Sequence, residues 1–243
     1  MKKNILLGLS ALVAGSLLAA ESTPQEAVTT AAKKLGESAN YAWKAVVVVP
    51  EDAPFKPGPT EGKTQKDGLA CFTMSMFDNK IQVLAKGDAR AVTDQEGKWQ
   101  SLAEVDKQEG PGRFMGMIAL ILKTPSKEAT DLAGYAKDLK REGDLYSGDL
   151  TEAGAKALQT FRPPGGDASP SVTDAKGSVK FWLKDGALIK YEFKLKGLIK
   201  FGENEFPNER TTTVEIKDVG ATKLEVPAEA MKKLEPKSDS TKP

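Results

Sequence analysis

Few residues in this chain are equipped for chemistry, and their spacing is poor. The 243 residues include no histidine, which removes Ser-His-Asp and Cys-His arrangements, the commonest general base, and imidazole metal ligands. The single cysteine, Cys71, has no internal disulfide partner. Within the strand pattern Ala70-Cys71-Phe72-Thr73 it reads as a small buried hydrophobe, against the alternatives of an intermolecular bridge or a reactive thiol. Gly58-Pro59-Thr60-Glu61-Gly62-Lys63-Thr64 approaches a phosphate loop, but three residues stand between its glycines where four are needed. No Asp-x-Asp-x-Asp-Gly calcium loop is present. Carboxylates fall at turns (Asp78, Asp94, Glu96, Asp185) or alternate with lysine, the pattern of a solvated surface. The expectation is a protein without cofactor or metal and not an enzyme, a carboxylate hydrolase being the weakest alternative.

Apolar chemistry is better supplied. Met74 and Met76 fall on one strand face, and Met115 and Met117 within one apolar helix. Methionine adapts its shape to varied apolar ligands, although core filling produces the same stripes. The candidate lining of an apolar cavity is Trp43, Phe72, Met74, Met76, Phe114, Met117, Ile118, Phe181, Tyr191 and Phe193. The helix of residues 113–123 reads either as a buried core helix or as a lid on that cavity.

The elements that must position these residues are mostly strands. Residues 176–219 read as four successive antiparallel strands. Val179, Phe181 and Leu183 alternate with Lys180, Trp182 and Lys184, and Asp185-Gly186 marks a two-residue hairpin. Ile189, Tyr191, Phe193 and Leu195 share the return face, Gly197 breaks it, and Val214 and Ile216 share the last. A half-wet sheet is predicted, with the rest of the chain covering one face.

Upstream, Thr23-Pro24-Gln25-Glu26 opens a helix with a capping box and proline at its first position. Residues 40–49 form a first strand, residues 50–66 a long patternless loop, and residues 68–100 a meander of four short strands. Helices are predicted over 113–123, 126–139 and 151–161, with a weak strand over 144–150 between the last two. A loop over 162–175, a short strand at 224–226 and a terminal helix to Leu234 follow.

Lys2-Lys3 and the apolar run Ile5 to Ala20 read as a secretory signal peptide cleaved after Ala20, against the alternative of an uncleaved anchor. Glu21 stands where a lipidated cysteine would be needed. Removing Lys2 and Lys3 from the 35 basic residues leaves 33 against 34 acidic ones, a net charge of −1. That balance offers no field for nucleic acid. After cleavage no stretch is long enough to span a membrane. The expected organisation is a signal peptide (1–20), one domain (21–234) and a disordered polar tail (235–243).

The motif Phe181-Trp182-Leu183-Lys184-Asp185-Gly186 with Lys190-Tyr191-Glu192 resembles a strand–turn–strand of the periplasmic lipoprotein-carrier superfamily, the LolA/LolB-like proteins. Thr211-Thr212-Thr213-Val214-Glu215-Ile216 and Val226-Pro227 are similar to its closing strand and C-terminal element. The resemblance implies an α+β fold, a curved, half-open antiparallel β-barrel or sheet wrapped around apolar helices. It also implies an exported, periplasmic binding protein that holds a lipid or an acylated protein's chains in the concavity. The carriers place an arginine in that cavity; Arg90 and Arg113 are available here, and neither matches the context. The alternative is an envelope scaffold module with a filled core and no ligand.

Overall fold

The computed structural model describes residues 22–76, 79–108, 110–160 and 171–234. In chain order the elements are α1 (Pro24–Glu37), β1 (Asn40–Val48), β2 (Thr60–Gln65), β3 (Leu69–Met76), β4 (Asn79–Lys86), β5 (Ala89–Thr93) and β6 (Trp99–Ser101). Then come α2 (Leu102–Val105), α3 (Pro111–Ile121), α4 (Pro125–Tyr135), β7 (Ala136–Glu142), β8 (Leu145–Leu150) and α5 (Glu152–Ala157). Three long strands close the sheet, β9 (Ser171–Lys184), β10 (Ala187–Phe201) and β11 (Asn204–Lys217), before α6 (Ala228–Leu234). The signal peptide, the polar tail and most of the 162–175 loop lie outside the described residues.

All eleven strands form one open antiparallel sheet in the order β6-β5-β4-β3-β2-β1-β11-β10-β9-β8-β7. The chain starts at the middle with β1, meanders outward on one side, and returns to build the other. An open edge invites pairing, and β7 guards its own with Lys137, Asp138, Lys140, Arg141 and Glu142 exposed.

Two bulges bend the wing formed by β7 to β10. In β7, Asp138 and Leu139 together oppose Gly148; in β9, Asp174 and Ala175 oppose Gly197. Both aspartates take φ of 52°, a left-handed conformation their short polar side chains tolerate. An extra residue on one strand bends it and raises the local twist.

α1 forms for the reasons its sequence gives. The Glu26 backbone N–H donates to Thr23 Oγ1 at 3.2 Å, and the Thr23 N–H donates to Glu26 Oε2 at 2.8 Å. Val28, Ala31, Ala32 and Leu35 are buried, and they pack with Ala129, Leu132 and Ala133 of α4 in the main core on the concave face.

Several expectations fail for identifiable reasons. Residues 60–65 are a strand, hidden because its inward positions are Gly62 and Thr64 rather than large hydrophobes. The helix predicted over 126–139 ends at Tyr135, and the chain continues as the charged edge strand β7, of which Ala136 alone is buried. Gly197 does not end a strand; β10 runs through it at a bulge, so three strands stand where four were expected. A third bulge, between Leu188 and Lys190, turns Ile189 outward, 42% exposed, and Leu188 inward. Residues 224–226 form no strand ladder. The sheet is also not wet on one whole face. Leu69, Leu84, Ala91 and Trp99 of the meander meet Ala230 and Leu234 of α6 in a second cluster on the convex side, with Cys71 half-buried beside it.

Candidate functional site

The concave face is organised in cross-strand rows. One row joins nine strands through direct partners: Arg141, Tyr146, Phe181, Tyr191, Val214, Ala45, Thr60, Met74 and Ile81. Its ends are large and its middle, Val214 to Thr60, is small, so the row has a trough. The next row carries Trp43, Gly62, Phe72 and Val83. Trp43 and Phe72 meet edge to face with ring centroids 5.4 Å apart, a favoured aromatic geometry. A third row carries Val179, Phe193, Thr212 and Val47.

Six of the ten sequence-nominated residues therefore share this bed. Trp43, Phe72, Met74, Phe181, Tyr191 and Phe193 are all buried, from 6% to 0% exposed. Ile118 of α3 packs against the same core, half-buried. Met117 is half-exposed, and Phe114 points away, 43% exposed, so it does not line the concavity. The Met76 side chain lies outside the described residues. Helices α1, α3 and α4 occupy the space above the bed, so the concavity is filled by the protein's own residues.

One feature interrupts this apolar interior. The Tyr191 hydroxyl donates to Glu128 Oε2 of α4 at 2.6 Å. Packing around the carboxyl pushes the Glu128 pKa up, although the Tyr191 hydrogen bond and the charges of Lys123 and Arg210 pull it back. Tyr191 is pushed well above its ordinary range by burial first and then by the neighbouring Glu128 charge. Burial lowers the pKa of Arg210 on β11, whose Nη2 donates to the Leu158 carbonyl at 3.1 Å. From β1, the phenol of Tyr41 faces Ser126 and Thr124; burial raises its pKa and these polar neighbours draw it down. Two tyrosines from the sheet thus address the first turn of α4, at Thr124, Ser126 and Glu128.

Sequence reasoning missed this group. Glu128 reads as an ordinary first-turn acid at a helix start. The available signal was Tyr41 and Tyr191 at inward strand positions, because buried hydroxyls require partners. The arginine whose charge acts on Glu128 is Arg210, not the Arg90 or Arg113 considered from sequence. Arg113 is exposed, and Arg90 donates to the carbonyls of Gly87 and Ala89.

Two hollows lie elsewhere. An open groove of about 610 Å³ runs on the convex side, lined by Lys44, Lys63, Cys71, Gln82, Lys217 and Lys223 among others. A second of about 340 Å³ sits beside the start of α3, between Val92, Val105, Met115 and the polar Asp94, Gln100 and Gln108. Burial raises the Cys71 thiol, which is the wrong direction for an activated nucleophile. Among the described residues no three His, Cys, Asp or Glu side chains cluster as a metal site. No described helix is long and apolar enough to cross a membrane.

The class defined by these observations is an open, curved antiparallel sheet with helices bedded on an aromatic concave face. No family model matches the sequence, and no curated protein matches it. Solved structures do. The lipoprotein LppX of Mycobacterium tuberculosis is 9% identical, with a TM-score of 0.42 over 83% of this chain and 97% of that one. LprF of Mycobacterium bovis is 12% identical, with a TM-score of 0.43 over 85% and 97%. A LolA superfamily protein of Nitrosomonas europaea is 10% identical, with a TM-score of 0.33 over 84% and 96%. These are likenesses in the course of the chain; the fold described above rests on its own strands and helices.

Proposed function

We propose that the protein is an exported, non-enzymatic carrier that holds a lipid, or the acyl chains of an acylated protein, against the concave face. α3 and α4 are the elements that part to admit the cargo. The observation that carries this reading is the Glu128–Tyr191 joint at the seam between α4 and the sheet. A core built for stability alone gains little from a buried ionisable group, because desolvation offsets what the contact returns. At a seam that must open, a hydrogen-bonded joint can be exchanged for water, and the apolar bed beneath is left for acyl chains. Trp43, Phe72, Met74, Phe181 and Phe193 supply that bed, and Ile118 supplies the helix side. Export to the periplasm is supported by the basic and apolar start of the chain, and intact mass of the exported protein should lack about twenty residues.

One observation favours the second reading, a scaffold module. The bed is close-packed by the protein's own helices, as a permanently filled core would be. Organic extraction of the purified protein and mass spectrometry of the extract separates the two. The carrier reading expects long-chain lipid at a fixed ratio to protein, and displacement of a fluorescent fatty acid by that lipid. Protein free of lipid that also fails to bind the probe would leave the scaffold reading standing.

A further inference from the structure

We propose that the outward side of α3 is a docking surface for an anionic lipid bilayer. The helix has two apolar sides. Met115, Gly116 and Ala119 are buried, with Gly116 set against Val105 of α2. On the other side Phe114, Leu120 and Ile121 are 43%, 37% and 51% exposed, and Met117 lies half-exposed among them. Positions 114, 117 and 121 recur at intervals of three and four, so these side chains make one strip along the helix. A helix on a water-facing surface normally carries polar residues there. A continuous exposed apolar strip marks an interaction surface.

The ends of the strip select the partner. Exposed Arg113 lies one turn before Met117. Beyond the other end, Lys123 and Lys127 both pair with Asp131, each at 2.8 Å, and both lysines reach solvent more than that carboxylate does. Apolar side chains between cationic ends are the composition of a helix lying in the headgroup layer of anionic lipid. A second copy fits less well, because antiparallel pairing of two such helices would bring the Arg113 end of one onto the Lys123 end of the other. The C-terminal residues 235–243, EPKSDSTKP, offer no apolar side chain except proline to cover the strip. This surface is independent of the cargo reading, since its side chains face away from the bed.

The test is co-sedimentation of the exported protein with vesicles of phosphatidylcholine alone, or of phosphatidylcholine mixed with phosphatidylglycerol. The wild type should bind the mixed vesicles, and should bind less at high salt or to phosphatidylcholine alone. Phe114→Asp and Ile121→Asp should each weaken binding about tenfold or more, by placing a charge in the apolar layer. Arg113→Glu should weaken binding to the mixed vesicles alone. Because all three positions are exposed, melting temperatures should stay at the wild-type value, and so should fatty-acid uptake. Absence of wild-type binding, variants that bind as the wild type does, or a dimer that Phe114→Asp dissociates would each overturn the proposal. If an aspartate variant melts early, Arg113→Glu decides by the lipid dependence of its binding.

Discussion

The indole of Trp43 lies across Gly62, its direct partner on β2, and reaches the ring of Phe72, the direct partner of Gly62 on β3. A Cβ at Gly62 would clash with the indole ring. The missing side chain is therefore what lets two aromatic rings meet over an intervening strand. It also explains why β2 carries no inward hydrophobe at its centre.

Gly62→Ala should accordingly destabilise the protein. The indole cannot swing aside freely, because it is 4% exposed and packs on Tyr41 as well as Phe72. Overpacking of this kind costs about 1–3 kcal/mol, against a gain of about 0.4–1 kcal/mol from a less flexible unfolded chain. Urea denaturation with matched slopes is the measurement. A neutral or stabilising result would mean the ring is not wedged over the glycine.

The Glu128–Tyr191 joint predicts an unusual pH dependence. Glu128 has a folded pKa raised above its ordinary value of 4.5, so the folded state binds the proton more tightly than the unfolded chain. Stability from this group is fully present below that ordinary value and is lost as pH rises toward the folded pKa. Wild type and Glu128→Gln should therefore diverge as pH rises above 4.5, the variant losing less stability, because a neutral amide can still accept from Tyr191. Tyr191→Phe removes the donor and should cost about 1–3 kcal/mol near neutral pH. Parallel stability profiles for wild type and Glu128→Gln would contradict this account of the seam.

α6 is tethered by a charge pair with the opposite sign of pH response. Lys233 Nζ donates to both oxygens of Glu104, at 2.8 and 2.7 Å, and Glu104 also closes the capping box of α2 through the Ser101 N–H. The Lys233 hydrogen bond, then that from Ser101, lowers the Glu104 pKa from 4.5 to about 2. Its contribution is present above pH 4.5 and fades as pH falls toward 2. The pair is partly exposed, so Lys233→Ala should cost only about 1 kcal/mol or less. Hydrogen exchange should nonetheless show residues 228–234 opening faster, with Trp99 uncovered beneath them. Unchanged exchange in α6 would mean that apolar contact alone holds it.

The legible parts of the fold were those whose pattern has one cause. Asp185-Gly186 takes φ of 51° and 74°, as its hairpin signature requires, and the Thr23 capping box forms with both bonds. β2 and β7 were illegible because neither carries a hydrophobic alternation: one has its place filled by a tryptophan from β1, the other is a charged edge. Ile189 was misplaced because a bulge shifts the face by one residue and leaves no mark in periodicity. The aromatic bed was visible as inward positions on four strands. The Glu128–Tyr191 joint was not, since it joins residues 63 apart in sequence and each alone looks ordinary.

The central claim is that acyl chains enter between α3, α4 and the concave face. Photolabelling of the exported protein with a long-chain fatty acid carrying a diazirine near its methyl end tests this most directly, with the modified peptides mapped by mass spectrometry. The account predicts saturable labelling of peptides that contain Trp43, Phe72, Met74, Ile118, Phe181 or Phe193, competed by unlabelled fatty acid. Labelling that does not saturate, or that falls only on the convex groove around Lys44, Lys217 and Lys223, would contradict it.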